Sequence, residues 1–222
     1  FESPAVNDLS ATLRTWAEID LSALLHNFGL ARSTGRRVMC VIKADAYGHG
    51  AVACGRFLEE NGADAFAVAS LAEAVELRRA GLHRPILILG YTPSSHARTL
   101  ATLDLTQTAV DEGAARELSA AARAQGVTVS IHAKVDTGMS RLGILAQGPQ
   151  NALEAARAVE RMAALPGLDL TGLFTHFSVA DTPSEDEYTA WQLQNYLVVL
   201  EELQRRGVRP AVCHTSNSAC IL

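Results

Sequence analysis

Apolar positions along this chain fall into two alternating rhythms. Short runs that are wholly apolar, or alternate with period two, are each followed by a longer stretch whose apolar residues recur with a helical period. The rhythms predict strands at 36–44, 64–70, 84–90, 105–110, 128–136, 169–177 and 209–216. They predict helices at 20–35, 48–62, 71–81, 94–104, 111–126, 149–167 and 184–207, and the start of one more at 217–222. Asp20 or Ser22, a serine opening 94–104, and Asp111 are the expected N-caps, while Gly35, Gly62, Gly81 and Gly126 are the expected stops.

Strands alternating with helices over short connections imply an α/β fold with a parallel sheet covered by helices. An open doubly wound sheet and a (β/α)8 TIM-type barrel compete. No G-x-G-x-x-G follows the first strand, which weakens a dinucleotide-binding sheet. A barrel needs eight strands, and seven βα units are legible, so the expectation is a barrel with its eighth unit missing. The chain opens on Phe1 rather than methionine and reads as a piece of something longer. Residues 1–14 are expected to be an N-terminal extension and 15–222 an incomplete barrel domain.

Composition removes several functions. A net charge of −5, with no block of like charge, argues against nucleic acid as a partner. No apolar run approaches the ~20 residues of a membrane span, so no membrane partner is expected. The four cysteines form no C-x-x-C pair and the histidines show no zinc spacing, so no metal is expected. Cys40 and Cys213 lie in apolar strand patterns, which predicts buried free thiols and a reducing, cytoplasmic setting. Of 19 basic residues only two are lysines, Lys43 and Lys134. Arginine supplies the ordinary surface charge, so each lysine asks for its own reason.

Alternation supplies one. On the fifth strand Val129, Ile131, Ala133 and Val135 point one way, and Ser130, His132, Lys134 and Asp136 the other. Helices cover an apolar face, so the polar set faces the barrel interior. The same reasoning puts Val41 with Lys43, Phe174 with His176, and Val212 with His214 and Ser216. Barrel chemistry sits at the C-terminal ends of strands, where Lys43, Lys134, Asp136, His176 and His214 can converge. Any one of them alone could mark a strand end reaching water; five at one end favour a site. Desolvation and a neighbouring cation both favour a neutral amine. Such an amine condenses with carbonyls, and pyridoxal phosphate is the common aldehyde cofactor. Ser216, Asn217 and Ser218 open the last helix, where they either cap it or meet a phosphate. Arg141, in the loop "KVDTGMSRLG", is either a fixed positive charge for a ligand or a solvated loop residue. Tyr47 and His49, after Lys43, are either phosphate donors or surface residues.

The stretches "TWAEIDLSALLHNF", "VIKADAYGHG", "KVDTGMSRLG", "FTHFSVAD" and "HTSNSA", in this order from about Thr15 to the end, resemble the barrel-type, pyridoxal-phosphate-dependent alanine racemases. The resemblance implies that Lys43 forms the Schiff base with the cofactor and is the base on one face of the substrate α-carbon. It implies that Tyr47 and Ser218, with Asn217 nearby, hold the phosphate, and that His176 packs on the pyridine ring. Arg141 would approach the ring oxygen, held by Lys134 as a carbamate, and His214 would partner an arginine on the pyridine nitrogen. That arginine lies on the family's eighth strand, and the opposite-face tyrosine comes from a β-rich C-terminal domain of the neighbouring subunit. Both fall outside these 222 residues, so a homodimer is implied for the longer protein and the fragment alone is expected to be inactive. One departure is Ser140, where the family commonly has glycine. The implied reaction is two-base interconversion of L- and D-alanine. Alternatives are a serine or broad-specificity racemase, another barrel enzyme using the same cofactor such as a decarboxylase, and a non-catalytic single-barrel cofactor-binding protein.

Overall fold

The computed structural model describes residue 15 and residues 17–221. The expected 1–14 extension therefore lies outside the described residues. The strands are β1 Met39–Val41, β2 Ala65–Val68, β3 Ile86–Ile88, β4 Leu105–Ala109, β5 Val129–Asp136, β6 Ile144–Leu145, β7 Leu168–Phe174 and β8 Val212–His214. All pairings are parallel, in the order β1-β2-β3-β4-β5-β7-β8, with the two-residue β6 attached to the end of β5. This is a curled, open sheet matching a (β/α)8 barrel whose eighth unit is absent from the described residues. Among those residues β1 and β8 pair on one side only.

The helices are α1 Leu21–Arg32, α2 Lys43–Gly48 (a left-handed turn), α3 Ala51–Glu60, α4 Leu71–Arg79, α5 Ala97–Thr102, α6 Glu112–Ala124, α7 Pro149–Ala163, α8 Asp186–Arg205 and α9 Ser218–Ile221. Their starts follow local chemistry. The Asp20 carboxylate accepts the Ser22 and Ala23 N–H groups, and the Asp111 carboxylate accepts that of Ala114. Ser70 and Glu73 form a reciprocal capping box on α4. The serine expected to cap 94–104 does not do so. Pro93 instead leads into a 3-10 turn at Ser94–His96, and α5 starts after it.

Two cores result. Ile131, Ala133 and Val135 join Leu118, Ala155, Val159, Met162 and Val199 in the layer between sheet and helices. Ala67, Leu87 and Phe174, with Met39 and Leu89, fill the barrel interior. Ladder register sets Thr108 beside His132, Lys134 beside Phe174, and Phe174 beside His214, while Lys43, His176 and Ser216 lie beyond the ends of their strands. Cys213 corrects its prediction. It lies on the edge strand β8 and is exposed. Cys40 is half-buried and Cys54 buried.

The β5–β7 register shifts between Ile131 and His132, so Thr171 is an extra residue and Gly172 comes to lie beside His132. A Cβ at Gly172 would overlap the His132 ring. Gly172→Ala should therefore cost about 1–3 kcal/mol of stability through overpacking. Thermal melting checks this, and an unchanged Tm would show that the ring has room to yield.

Candidate active site

β1 ends at Val41, so Lys43 leaves the strand rather than finishing it. The next four residues, Ala44, Asp45, Ala46 and Tyr47, have φ between +50° and +55° and ψ between +35° and +51°. None is glycine, and left-handed backbone costs L-residues roughly 1–2 kcal/mol each. The sequence pattern gave no sign of this turn. Ala46 N–H donates to the Ile42 carbonyl, Gly50 N–H to the Asp45 carbonyl, and Ala51 N–H to the Asp45 carboxylate at 2.6 Å. The result puts the half-buried Lys43 Nζ 5.9 Å from the centre of the exposed Tyr47 ring. His49 is spent locally, its Nδ1 lying 2.8 Å from the Ala46 carbonyl.

Lys134 sits on the interior face of β5, 3% exposed, with its Nζ 5.1 Å from the Phe174 ring centre. Among the described residues its amine has no hydrogen-bond partner. The neighbouring carboxylate is occupied elsewhere: Asp136 Oδ1 accepts the Gly138 and Ser140 N–H groups, both at 3.0 Å. Burial, and then the Arg141 charge, push the Lys134 amine down to about 8, against the opposing pull of Asp136. Ser140 takes φ +56° in this loop, which explains why glycine suits the position.

His176 follows β7 and is half-buried. Burial lowers its pKa first, followed by the charges of Lys134, Arg141 and Lys43. Three of the predicted residues thus act on a fourth. His214 stacks on Phe174, with centroids 4.7 Å apart and planes 6° from parallel. Its Nε2 shares a hydrogen bond with His132 Nδ1 at 3.1 Å. Burial pushes His132 down to about 4, and burial with the His132 and Lys134 charges pushes His214 down to about 3. Both are neutral rings at neutral pH, so one must donate to the other.

Asn217 behaves as a cap, its Oδ1 accepting the Cys220 N–H at 3.1 Å. Ser218 begins α9 and is exposed, as are Arg141 and Ser216.

Sequence reasoning missed the residues that brace the two loops of this mouth. Tyr188 Oη donates to the Gly138 carbonyl at 2.8 Å. Gln192, wholly buried, accepts the Ser178 N–H and donates to the His176 carbonyl. Polar residues recurring on the buried face of α8, Gln192, Asn195 and Glu202, were the available signal.

An incomplete parallel α/β barrel with two lysines, an arginine and two histidines near its strand ends has the form of part of a barrel enzyme. The chain belongs to the alanine racemase N-terminal domain family, whose profile matches residues 19–222. It is 41% identical over 223 residues to an alanine racemase of Desulfosudis oleivorans, covering 98% of this chain and 56% of that protein. The structure superposes on a Clostridium difficile alanine racemase in complex with cycloserine with TM-score 0.87 and 38% identity, covering 95% of this chain and 57% of that one. It also superposes on a histidine racemase of Leuconostoc mesenteroides with TM-score 0.78 and 28% identity, covering 90% of this chain and 52% of that one. The chain thus spans about half the length of the relatives it matches.

The Lys134 geometry generates a pH dependence. Its pKa is about 8 in the folded protein against an ordinary 10.5. Between these values the unfolded chain holds a proton that the native state lacks, so stability from this group rises with pH across that window. Below pH 8 the buried charge is present and costs about 3 kcal/mol. In CO2-free buffer Lys134→Met should therefore be more stable than wild type by about that amount at neutral pH, with the gap closing by about pH 10.5. Denaturant unfolding across this range checks it. A gap independent of pH would remove Lys134 as its source.

Proposed function

We propose that this chain is the pyridoxal-phosphate-binding barrel of an amino-acid racemase whose substrate is alanine. The observation that carries the reading is the convergence of Lys43, Lys134 and Arg141 on the half-buried His176. Such a mouth is short of negative charge. A phosphorylated, phenolate-bearing cofactor would supply it, and the Lys134 amine, without a partner among the described residues, supports the reading. The cofactor, when bound, acts as an electron sink for a carbanion at the substrate α-carbon.

The chain's own residues then divide the work. Lys43 would hold the cofactor through its aldehyde, and its free amine would move a proton on one face of the α-carbon. Tyr47 and Ser218, with Asn217 beside it, serve the phosphate. His176, kept neutral by burial and three cations, offers a flat face to the ring. Arg141 brings a fixed positive charge to the ring oxygen. His214, stacked on Phe174 and tied to His132, holds a neutral nitrogen toward a partner near the pyridine. Once its ammonium has lost a proton, the neutral Lys134 amine can add CO2, forming an N–C bond and releasing a second proton, which leaves an anion for Arg141 where a cation stood. The group for the opposite face, the pyridine-contacting arginine and the homodimer contact belong to the longer protein.

The similarity to a histidine racemase favours a second reading, racemisation of a different amino acid on the same barrel. In the full-length protein, L-alanine should give D-alanine at a higher kcat/KM than serine or histidine. Lys43→Ala should lower turnover by at least about 10²–10⁴-fold. It should also abolish borohydride-fixed cofactor on the peptide containing residue 43. Wild-type turnover by this variant would overturn the assignment. Native mass measurement with and without dissolved CO2 should show one added CO2, lost in Lys134→Met.

A further inference from the structure

We propose that Glu73 is a positioning residue for Lys43, coupling the cap of α4 to the left-handed turn that carries the lysine. The inference rests on the role given to Lys43 above. The Glu73 carboxylate divides its two oxygens between two tasks. Oε2 accepts the Ala69 N–H at 2.6 Å and the Ser70 N–H at 3.2 Å, which completes the capping box of α4. Oε1 reaches across 29 residues of sequence and accepts the Ala44 N–H at 2.9 Å.

That amide is the first after Lys43. Holding it fixes the plane of the Lys43–Ala44 peptide, and so the direction in which the chain enters its left-handed path. The far end of the turn is held separately, by Asp45 accepting from Ala51. Between these two carboxylates four non-glycine residues keep a conformation that each would leave at a gain. A hydrogen bond to a charged acceptor is among the stronger ones available for opposing that tendency. Glu73 therefore sets where the Lys43 amine and the Tyr47 phenol stand relative to each other.

A simple cap would make Glu73 important to α4 alone, and substitution separates the two tasks. A capping box accepts glutamine in place of glutamate. Glu73→Gln can keep its carbonyl oxygen on Ala69 and Ser70, but it turns an NH2 toward the Ala44 N–H, so only the contact to the turn is lost. Ser70→Ala removes the other half of the box and leaves the carboxylate in place. Hydrogen–deuterium exchange of the full-length protein, loaded with pyridoxal phosphate, reads both segments. Glu73→Gln should speed exchange across 44–47 about tenfold and leave 71–79 unchanged. Ser70→Ala should speed exchange only in 71–79. In the same preparations, borohydride-fixed cofactor on Lys43 at subsaturating cofactor should fall severalfold in Glu73→Gln and hold in Ser70→Ala. Wild-type exchange across 44–47 in Glu73→Gln, or loosening of that segment in Ser70→Ala, would overturn the inference. Failure of the wild type to fix cofactor would instead overturn the role of Lys43, and the exchange comparison would still judge Glu73.

Discussion

A lysine buried with no hydrogen-bond partner among the described residues is the constraint around which this site is arranged. β5 is buried on both faces, and its interior face carries His132, Lys134 and Asp136. Asp136 lies two residues from Lys134 on the same face, yet its oxygen is taken by the Gly138 and Ser140 amides. The loop that follows β5 is thus built with the carboxylate that would otherwise have neutralised the lysine. Proteins rarely leave a buried charge unpaired, because the cost runs to several kcal/mol. Where they do, a ligand or a chemical change of the group commonly accounts for it. The surrounding structure follows the same logic. His132 and His214 are both held neutral, and Phe174 presents a ring rather than a dipole.

The same residues show what a sequence can and cannot disclose. The interior set on β5 was legible because that strand has two unlike faces, one apolar and one polar, and alternation reads such a difference directly. The scarcity of lysine marked Lys43 and Lys134 before any geometry was known. Strand ends were less legible. The apolar run through Ile42 gives no sign that pairing stops at Val41. The exposure of Cys213, on the edge strand β8, was also hidden. The bulge at Thr171 is a matter of register between two strands, and only the small Gly172 beside it hints that something bulky lies opposite.

The left-handed turn at 44–47 is the extreme case. Its own residues, Ala-Asp-Ala-Tyr, argue for ordinary right-handed backbone, and glycine appears only after them, at Gly48. Local preference is overruled by a carboxylate from the next βα unit and by a carboxylate within the turn that caps α3. The strain is kept where it has a use. A right-handed turn would send the chain after Lys43 in a different direction. Because the first constraint comes from α4 and the second from α3, the placement of Lys43 depends on two helices packing in their correct positions. The lysine that most plainly announced chemistry in the sequence is followed at once by an amide bonded to a glutamate of the α4 capping box.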